Sequence, residues 1–108
     1  MKISLSSLFA VSLLSLTSAA HAQADAGKQT LYIQSLAATC ANCHGTNGRA
    51  VEGSSVMSIA GLDKAYTIAQ MTAFKNGTRP ATIMHQLSKG YSDAQIDALA
   101  TYFAAQKK

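Results

Sequence analysis

The chain is short of the residues that build metal clusters. Its 108 residues include two cysteines, three histidines and one proline. A structural zinc site needs about four Cys or His ligands, commonly from two closely spaced pairs. The only cysteines, Cys40 and Cys43, lie in a single stretch, and no second pair exists. The sequence therefore argues against structural zinc.

Charge is also scarce, since 13% of the residues are charged, with nine Lys or Arg against five Asp or Glu. The formal net charge of +4 is a mild excess. The one basic run is Lys107-Lys108 at the C-terminus, so the sequence indicates no nucleic-acid partner. This small positive net charge would steer the protein only weakly toward a partner.

Strand-like alternation, internal repeats and low-complexity tracts are lacking as well. Apolar residues at helical spacing predict a first helix over residues 25–39, with Asp25 as its N-cap. A second is predicted over residues 63–76, capped by Asp63 and closed by Gly77. The sequence therefore predicts an all-α fold.

The last helix has the clearest local pattern. Ser92 and Gln95 form the capping-box sequence at its start. The residues that follow place an apolar stripe on one face at i, i+3, i+4 and i+7, made of Ile96, Leu99, Ala100 and Phe103.

The N-terminus has the pattern of a secretory leader. Lys2 precedes an apolar run over residues 3–16, and Ala20-His21-Ala22 is a small-x-small cleavage pattern. This predicts a signal peptide over residues 1–22 that is removed on export. The run of about 14 residues is shorter than the span of about 20 that a membrane helix needs, although an uncleaved anchor is the alternative.

Removal of the leader leaves residues 23–108, which predict a single domain. His21 is then absent from the mature protein. In a bacterium the leader delivers the chain to the periplasm, and the mature form is expected to have no membrane span.

The stretch Cys40-Ala41-Asn42-Cys43-His44 reads C-x-x-C-H, the attachment signature of haem c. Two thiols on one helical turn can each reach a vinyl group of the same porphyrin, and His44 can offer an imidazole nitrogen to the iron. The sequence therefore predicts one covalently bound haem c. A thioredoxin-like dithiol and a simple disulfide are the alternatives. The first needs a preceding strand, whereas the preceding apolar residues follow helical spacing.

The second axial position decides the chemistry. A strong ligand there makes an electron carrier, whereas open iron permits gas binding or enzyme chemistry. Met84 is favoured, because it follows a helix end and Pro80 and lies far enough past His44 for the chain to pass round the porphyrin edge. A thioether ligand favours Fe(II) and raises the reduction potential. The other candidates are His85, the chief competitor, and Met57 and Met71.

A helix that leads into C-x-x-C-H, a downstream methionine and a closing amphipathic helix resemble the class I cytochrome c family. That resemblance implies thioether anchors at Cys40 and Cys43, with His44 and Met84 as axial ligands. It also implies that the N- and C-terminal helices cross and that three to five short helices and loops enclose the haem.

Residues 74–84, Phe-Lys-Asn-Gly-Thr-Arg-Pro-Ala-Thr-Ile-Met, look like those of the haem-bearing subunits of flavocytochrome c sulfide dehydrogenases. The likeness implies a non-catalytic electron-transfer subunit whose electrons come from a separate FAD-containing, sulfide-oxidising subunit. A freely diffusing shuttle to an oxidase or reaction centre is the alternative, and an open-iron enzyme or gas-binding protein is the third hypothesis.

The resemblance also implies that a loop carbonyl accepts the ring N–H of His44. The corresponding loop, residues 57–61, lacks the proline that is usual in the family, which removes some rigidity. Away from the motif, the basic residues fit a solvated face, with the alternative that Arg79 lies beside a haem propionate or a partner. These basic residues are Lys64, Lys75, Arg79 and Lys89.

Overall fold

The computed structural model describes residues 5–108, with side chains from Ala22 onward. One compact unit runs up to Tyr32 and a second comprises Ile33–Lys108. The described residues contain helices and no strands, in agreement with the all-α prediction. The helices are α1 (Leu5–Ala38), α2 (Ala41–His44), α3 (Lys64–Lys75), α4 (Met84–Leu87) and α5 (Asp93–Ala104), with 3₁₀ turns at Thr46–Gly48 and Ser88–Gly90.

The first helix starts earlier than predicted. Asp25, expected as its N-cap, lies inside α1, where its carboxylate is 3.4 Å from the ammonium of Lys28. The prediction was wrong because residues 5–24 contain many helix formers and neither Gly nor Pro, so nothing there ends a helix. Residues 1–4 of the predicted leader lie outside the described residues, and its cleavage stays a prediction. Among the described residues, no helix combines the length and apolarity that a membrane crossing needs.

Both ends of α3 follow the predicted capping pattern. At the start, the Asp63 side chain accepts a hydrogen bond from the backbone N–H of Tyr66 at 2.8 Å. At the end, Gly77 has φ of +75°, and its N–H and that of Thr78 donate to the carbonyls of Phe74 and Ala73. This pair of bonds is a Schellman motif, which needs a left-handed residue and so favours glycine.

The predicted capping box of α5 is present. The Ser92 hydroxyl accepts from the Gln95 N–H at 3.2 Å, and the Gln95 side chain accepts from the Ser92 N–H at 2.9 Å. The whole predicted stripe is buried, comprising Ile96, Leu99, Ala100 and Phe103.

The first and last helices meet at the final turn of α1. Ala37 forms a buried cluster with Leu99 and Phe103 of α5, and Leu36 packs against it. The contact predicted between the terminal helices is therefore present, and it lies directly before the C-x-x-C-H motif.

Ion pairs connect α3 to α5 and correct the expectation for two lysines. Lys64 lies 2.9 Å from Asp97, and Lys75 lies 2.8 Å from Asp93. The Lys75 ammonium also donates to the carbonyl of Tyr91 at 2.8 Å. These lysines are therefore partnered side chains, not members of a purely solvated face.

The turn after α2 depends on Gly48, which has φ of +79°. A Cβ at this position would lie 2.7 Å from Ile59 Cγ1 and 2.8 Å from Phe103 Cδ1. The Gly48 carbonyl also accepts hydrogen bonds from the N–H groups of Ile59 and Ala60, at 2.7 and 2.9 Å. Gly48 thus joins the turn, the following loop and α5 in one tight contact.

We expect Gly48→Ala to lower the free energy of unfolding by roughly 3 kcal/mol or more, because it adds a clash to an unfavourable φ. Gly53→Ala is the control, since Gly53 also has positive φ but a Cβ there meets nothing within 4 Å. The control should cost only about 1–2 kcal/mol. Urea unfolding of both variants measures the difference, and equal losses would contradict the packing role of Gly48.

Candidate haem site

The C-x-x-C-H motif forms the turn from α1 into α2. Cys40 has helical backbone angles, and its carbonyl accepts from the N–H of Cys43 at 3.3 Å and of His44 at 2.9 Å. The two thiols therefore lie on one helical turn, as predicted. Burial raises the pKa of the Cys40 thiol.

The ring of His44 is oriented by the loop that follows. Its Nδ1 lies 2.7 Å from the carbonyl oxygen of Met57. A carbonyl only accepts hydrogen bonds, so Nδ1 carries the proton and Nε2 has its lone pair free for a metal. The expected bond to a loop carbonyl is thus confirmed.

The loop keeps this carbonyl in place without the missing proline. Its far end is tied to Gly48 through the N–H groups of Ile59 and Ala60, and the Ser58 hydroxyl accepts from the N–H of Ala50 at 2.8 Å. Hydrogen bonds here take over the restraint that a proline ring would supply.

A cavity of about 440 Å³ lies beside the motif. Residues from the α1–α2 turn, the following loop, α3, the segment around α4, and α5 line it. Among the residues that the structure describes, no Asp or Glu lines it, and Arg79 is its only Lys or Arg. The predicted site residues Cys40, Cys43, His44 and Met84 all belong to this lining.

Three of the four candidates for a second ligand border the cavity. Met57, Met71 and Met84 line it, whereas His85 does not. Met57 is in the loop whose carbonyl holds His44, and Met71 is in the interior of α3. Met84 is the first residue of α4. The Nδ1 of His85 is buried and meets no hydrogen-bond partner among the described residues.

Ser88 is a site residue that the sequence did not reveal. It is fully buried, and its hydroxyl donates to the Met84 carbonyl at 2.6 Å and lies 3.7 Å from the sulfur of Met71. This contact ties the short helix α4 to α3. The only available signal was a small polar residue one helical turn after Met84, which is common in any helix.

The residues present fit a haem. Ligand cavities commonly measure about 300–1,000 Å³ and are mainly apolar, as a porphyrin face requires. The C-x-x-C-H thiols lie at the wall, and the His44 tautomer leaves Nε2 available. Among the described residues, no group of three or more His, Cys, Asp or Glu side chains could hold a free metal ion. The apolar lining and the C-x-x-C-H thiols suit a porphyrin.

Comparison with known proteins agrees with this geometry. A model of the cytochrome c family matches residues 24–107. The chain belongs to the cytochrome c family. Its cofactor is accordingly a covalently bound haem c.

Several cytochromes of sulfur metabolism are similar to the chain. A "cytochrome subunit of sulfide dehydrogenase" from Chlorobaculum tepidum is 38% identical over 68% of this cytochrome and 64% of the relative. A "thiosulfate dehydrogenase electron acceptor" from Thiomonas intermedia is 37% identical over 66% of the chain and 33% of the relative. The matches thus span about two thirds or less of these relatives.

Cytochromes c4 are also similar. The cytochrome c4 of Pseudomonas aeruginosa is 36% identical over 87% of this cytochrome and 44% of the relative. A solved cytochrome c4 structure from Acidithiobacillus ferrooxidans matches with a TM-score of 0.57 and 36% identity, over 61% of this chain and 37% of that one. The all-helical fold is therefore the class I cytochrome c fold.

Proposed function

We propose that Cys40 and Cys43 attach one haem c through thioether bonds and that His44 and Met84 ligate its iron. The support is that all four side chains line one apolar cavity and that the Met57 carbonyl leaves His44 Nε2 available. These four residues come from two segments of the chain: Cys40, Cys43 and His44 from the C-x-x-C-H stretch, and Met84 from the separate helix α4.

A haem with two strong axial ligands passes single electrons with little rearrangement. The protein supplies the enclosure. Apolar side chains of α3 and α5 line the cavity and would exclude water from a bound porphyrin, and the Met57 carbonyl holds the His44 ring. The Ser88 hydroxyl restrains the backbone of Met84. Each contact limits movement around the iron, which is what a carrier needs.

We expect Met84→Ala to abolish the weak ferric charge-transfer band that an iron–thioether bond produces at the red end of the visible spectrum. The reduction potential should fall as well, since the thioether favours Fe(II). Met57→Ala and Met71→Ala are matched controls that line the same cavity and should keep the band. His85→Ala should also keep it. Loss of the band in a control but not in Met84→Ala would refute the ligand assignment.

We further propose that the protein is the haem subunit of a sulfide-oxidising flavoprotein complex. The similarity to the Chlorobaculum tepidum sulfide dehydrogenase subunit supports this, together with the likeness of residues 74–84 to such subunits. In this role electrons come from an FAD-containing subunit and leave to a soluble acceptor. The haem subunit itself carries out no bond-making step on sulfide.

A second candidate is a mobile electron acceptor for a thiosulfate dehydrogenase. The specific observation in its favour is the similarity to two proteins named thiosulfate dehydrogenase electron acceptor, from Thiomonas intermedia and Stutzerimonas stutzeri, at 37% and 33% identity. This candidate differs from the shuttle to an oxidase or reaction centre considered from the sequence, because it names a thiosulfate dehydrogenase as the electron donor.

Anaerobic reduction assays separate the two candidates. The oxidised cytochrome is mixed with sulfide and a sulfide-oxidising flavoprotein, or with thiosulfate and a thiosulfate dehydrogenase, and the reduced haem spectrum is followed. We expect faster reduction in the first mixture than with sulfide alone, and co-elution with the flavoprotein. Reduction only in the second mixture would replace the leading candidate with the second.

We also propose that residues 1–22 are a leader removed on export to the periplasm, where haem c is attached. Mass spectrometry of the protein exported from a host with haem-attachment machinery should give a chain that begins at Gln23 and carries one haem. A full-length chain that carries haem would contradict the proposed cleavage but not the haem attachment. A haem-free chain would contradict the attachment at Cys40 and Cys43.

A further inference from the structure

Arg79 is a charged side chain in the cavity lining, and it has no part in the proposed attachment of the haem or ligation of the iron. Within the part of the chain that the structure describes, Arg79 is the only Lys or Arg that lines the cavity, and no Asp or Glu does so. The side chain is partly buried. Among the described residues, no carboxylate pairs with Arg79, whereas Lys64 and Lys75 are paired with Asp97 and Asp93. An unpaired guanidinium on an apolar wall indicates that the occupant brings the anion.

The guanidinium is held in position by α3. Its Nη1 donates to the side-chain oxygen of Gln70, and its carbon lies 4.5 Å from the centroid of the Phe74 ring. Gln70 and Phe74 also line the cavity. Because Gln70 is the one hydrogen-bond acceptor that the Arg79 side chain meets among the described residues, most of its planar donor fork remains available.

The backbone on both sides of Arg79 restricts where it points. Its N–H donates to the Ala73 carbonyl at 3.1 Å, next to the bond from Thr78 that closes the Schellman motif. Pro80 follows directly and restricts the conformation of the residue before it. The side chain is therefore preorganised before any ligand arrives, which lowers the entropy that binding would cost.

We propose that Arg79 binds a haem propionate and so fixes which edge of the porphyrin lies at the end of α3. This inference rests on the proposed haem attachment. A haem carries two carboxylates, and a guanidinium fork suits a carboxylate in bidentate geometry. The thioethers, the axial ligands and Arg79 then hold the porphyrin from separate segments of the chain. Arg79 is a cofactor-binding residue with no role in ligating the iron.

The direct test is NMR of the reduced, diamagnetic holoprotein. The chain contains two arginines, Arg49 and Arg79, so ¹⁵N-arginine labelling gives two side-chain signals, and Arg79→Gln assigns them. Arg49 does not line the cavity and serves as the internal control. We expect nuclear Overhauser contacts from the Arg79 side chain to the propionate methylene protons and none from Arg49. Absence of the Arg79 contacts would overturn the inference.

Reduction potentials provide the second readout. Arg79→Gln should lower the potential at least twice as much as Lys89→Gln, because an uncompensated propionate stabilises ferric iron. Lys89→Gln removes the same charge from an exposed residue outside the cavity lining. Arg79→Lys should restore part of the loss. Equal shifts in the two Gln variants would contradict propionate binding.

Two further outcomes keep the proposals apart. If Arg79→Gln leaves the potential unchanged but weakens reduction by a protein partner in a salt-dependent way, Arg79 is a docking residue and the propionate assignment is wrong. If the ferric band assigned to Met84 is absent from the unmutated protein, the ligand proposal has failed instead. Contacts between Arg79 and propionate with that band present support both.

Discussion

The hydrogen bond between His44 Nδ1 and the Met57 carbonyl is the contact on which the site depends. It fixes the tautomer and orientation of the imidazole, and it does so with a backbone group that no side-chain substitution removes. The carbonyl is positioned in turn by the hydrogen bonds that close the loop on Gly48, and Gly48 packs against Phe103 of α5. A chain of contacts therefore runs from the His44 imidazole through the loop and Gly48 to the core beside α5. The contacts that stabilise the fold around Gly48 therefore also orient the His44 ring.

Local sequence patterns predicted local structure well. The Asp63 cap, the Gly77 end and the capping box of Ser92 and Gln95 each depend on residues within five positions of one another, so the sequence alone specifies them. The start of α1 was predicted wrongly because the residues before Asp25 form helix as readily as those after it. The burial of Ser88 against Met71 could not be predicted, since it depends on how α3 packs against a segment 17 positions away in the chain. The C-x-x-C-H motif could be recognised from the sequence alone, because the spacing of its two cysteines and its histidine is itself the signature of haem c attachment.

The apolar core contains few large buried side chains, although a cavity of about 440 Å³ lies beside it. The described part of the chain has six buried hydrophobic residues. Three are alanines, and the larger three are Ile96, Leu99 and Phe103. Several large side chains at the cavity, including Ile83 and Leu87, are about half exposed. A porphyrin would cover these surfaces and remove them from water, with a gain of about 25 cal/mol per Å² of apolar area. A haem bound there would therefore complete the hydrophobic core.

The loop between Gly48 and Ile59 is closed at its base and open at its tip. Both ends are held by the Gly48 carbonyl, whereas Val51 is 76% exposed and Gly53 has open space around it. A surface loop whose two ends are held by hydrogen bonds accepts inserted residues at its tip with little effect on the rest of the domain. The tip around Gly53 is thus where the chain can lengthen during evolution, or carry a grafted peptide for immobilisation on an electrode, without displacing the carbonyl that holds His44.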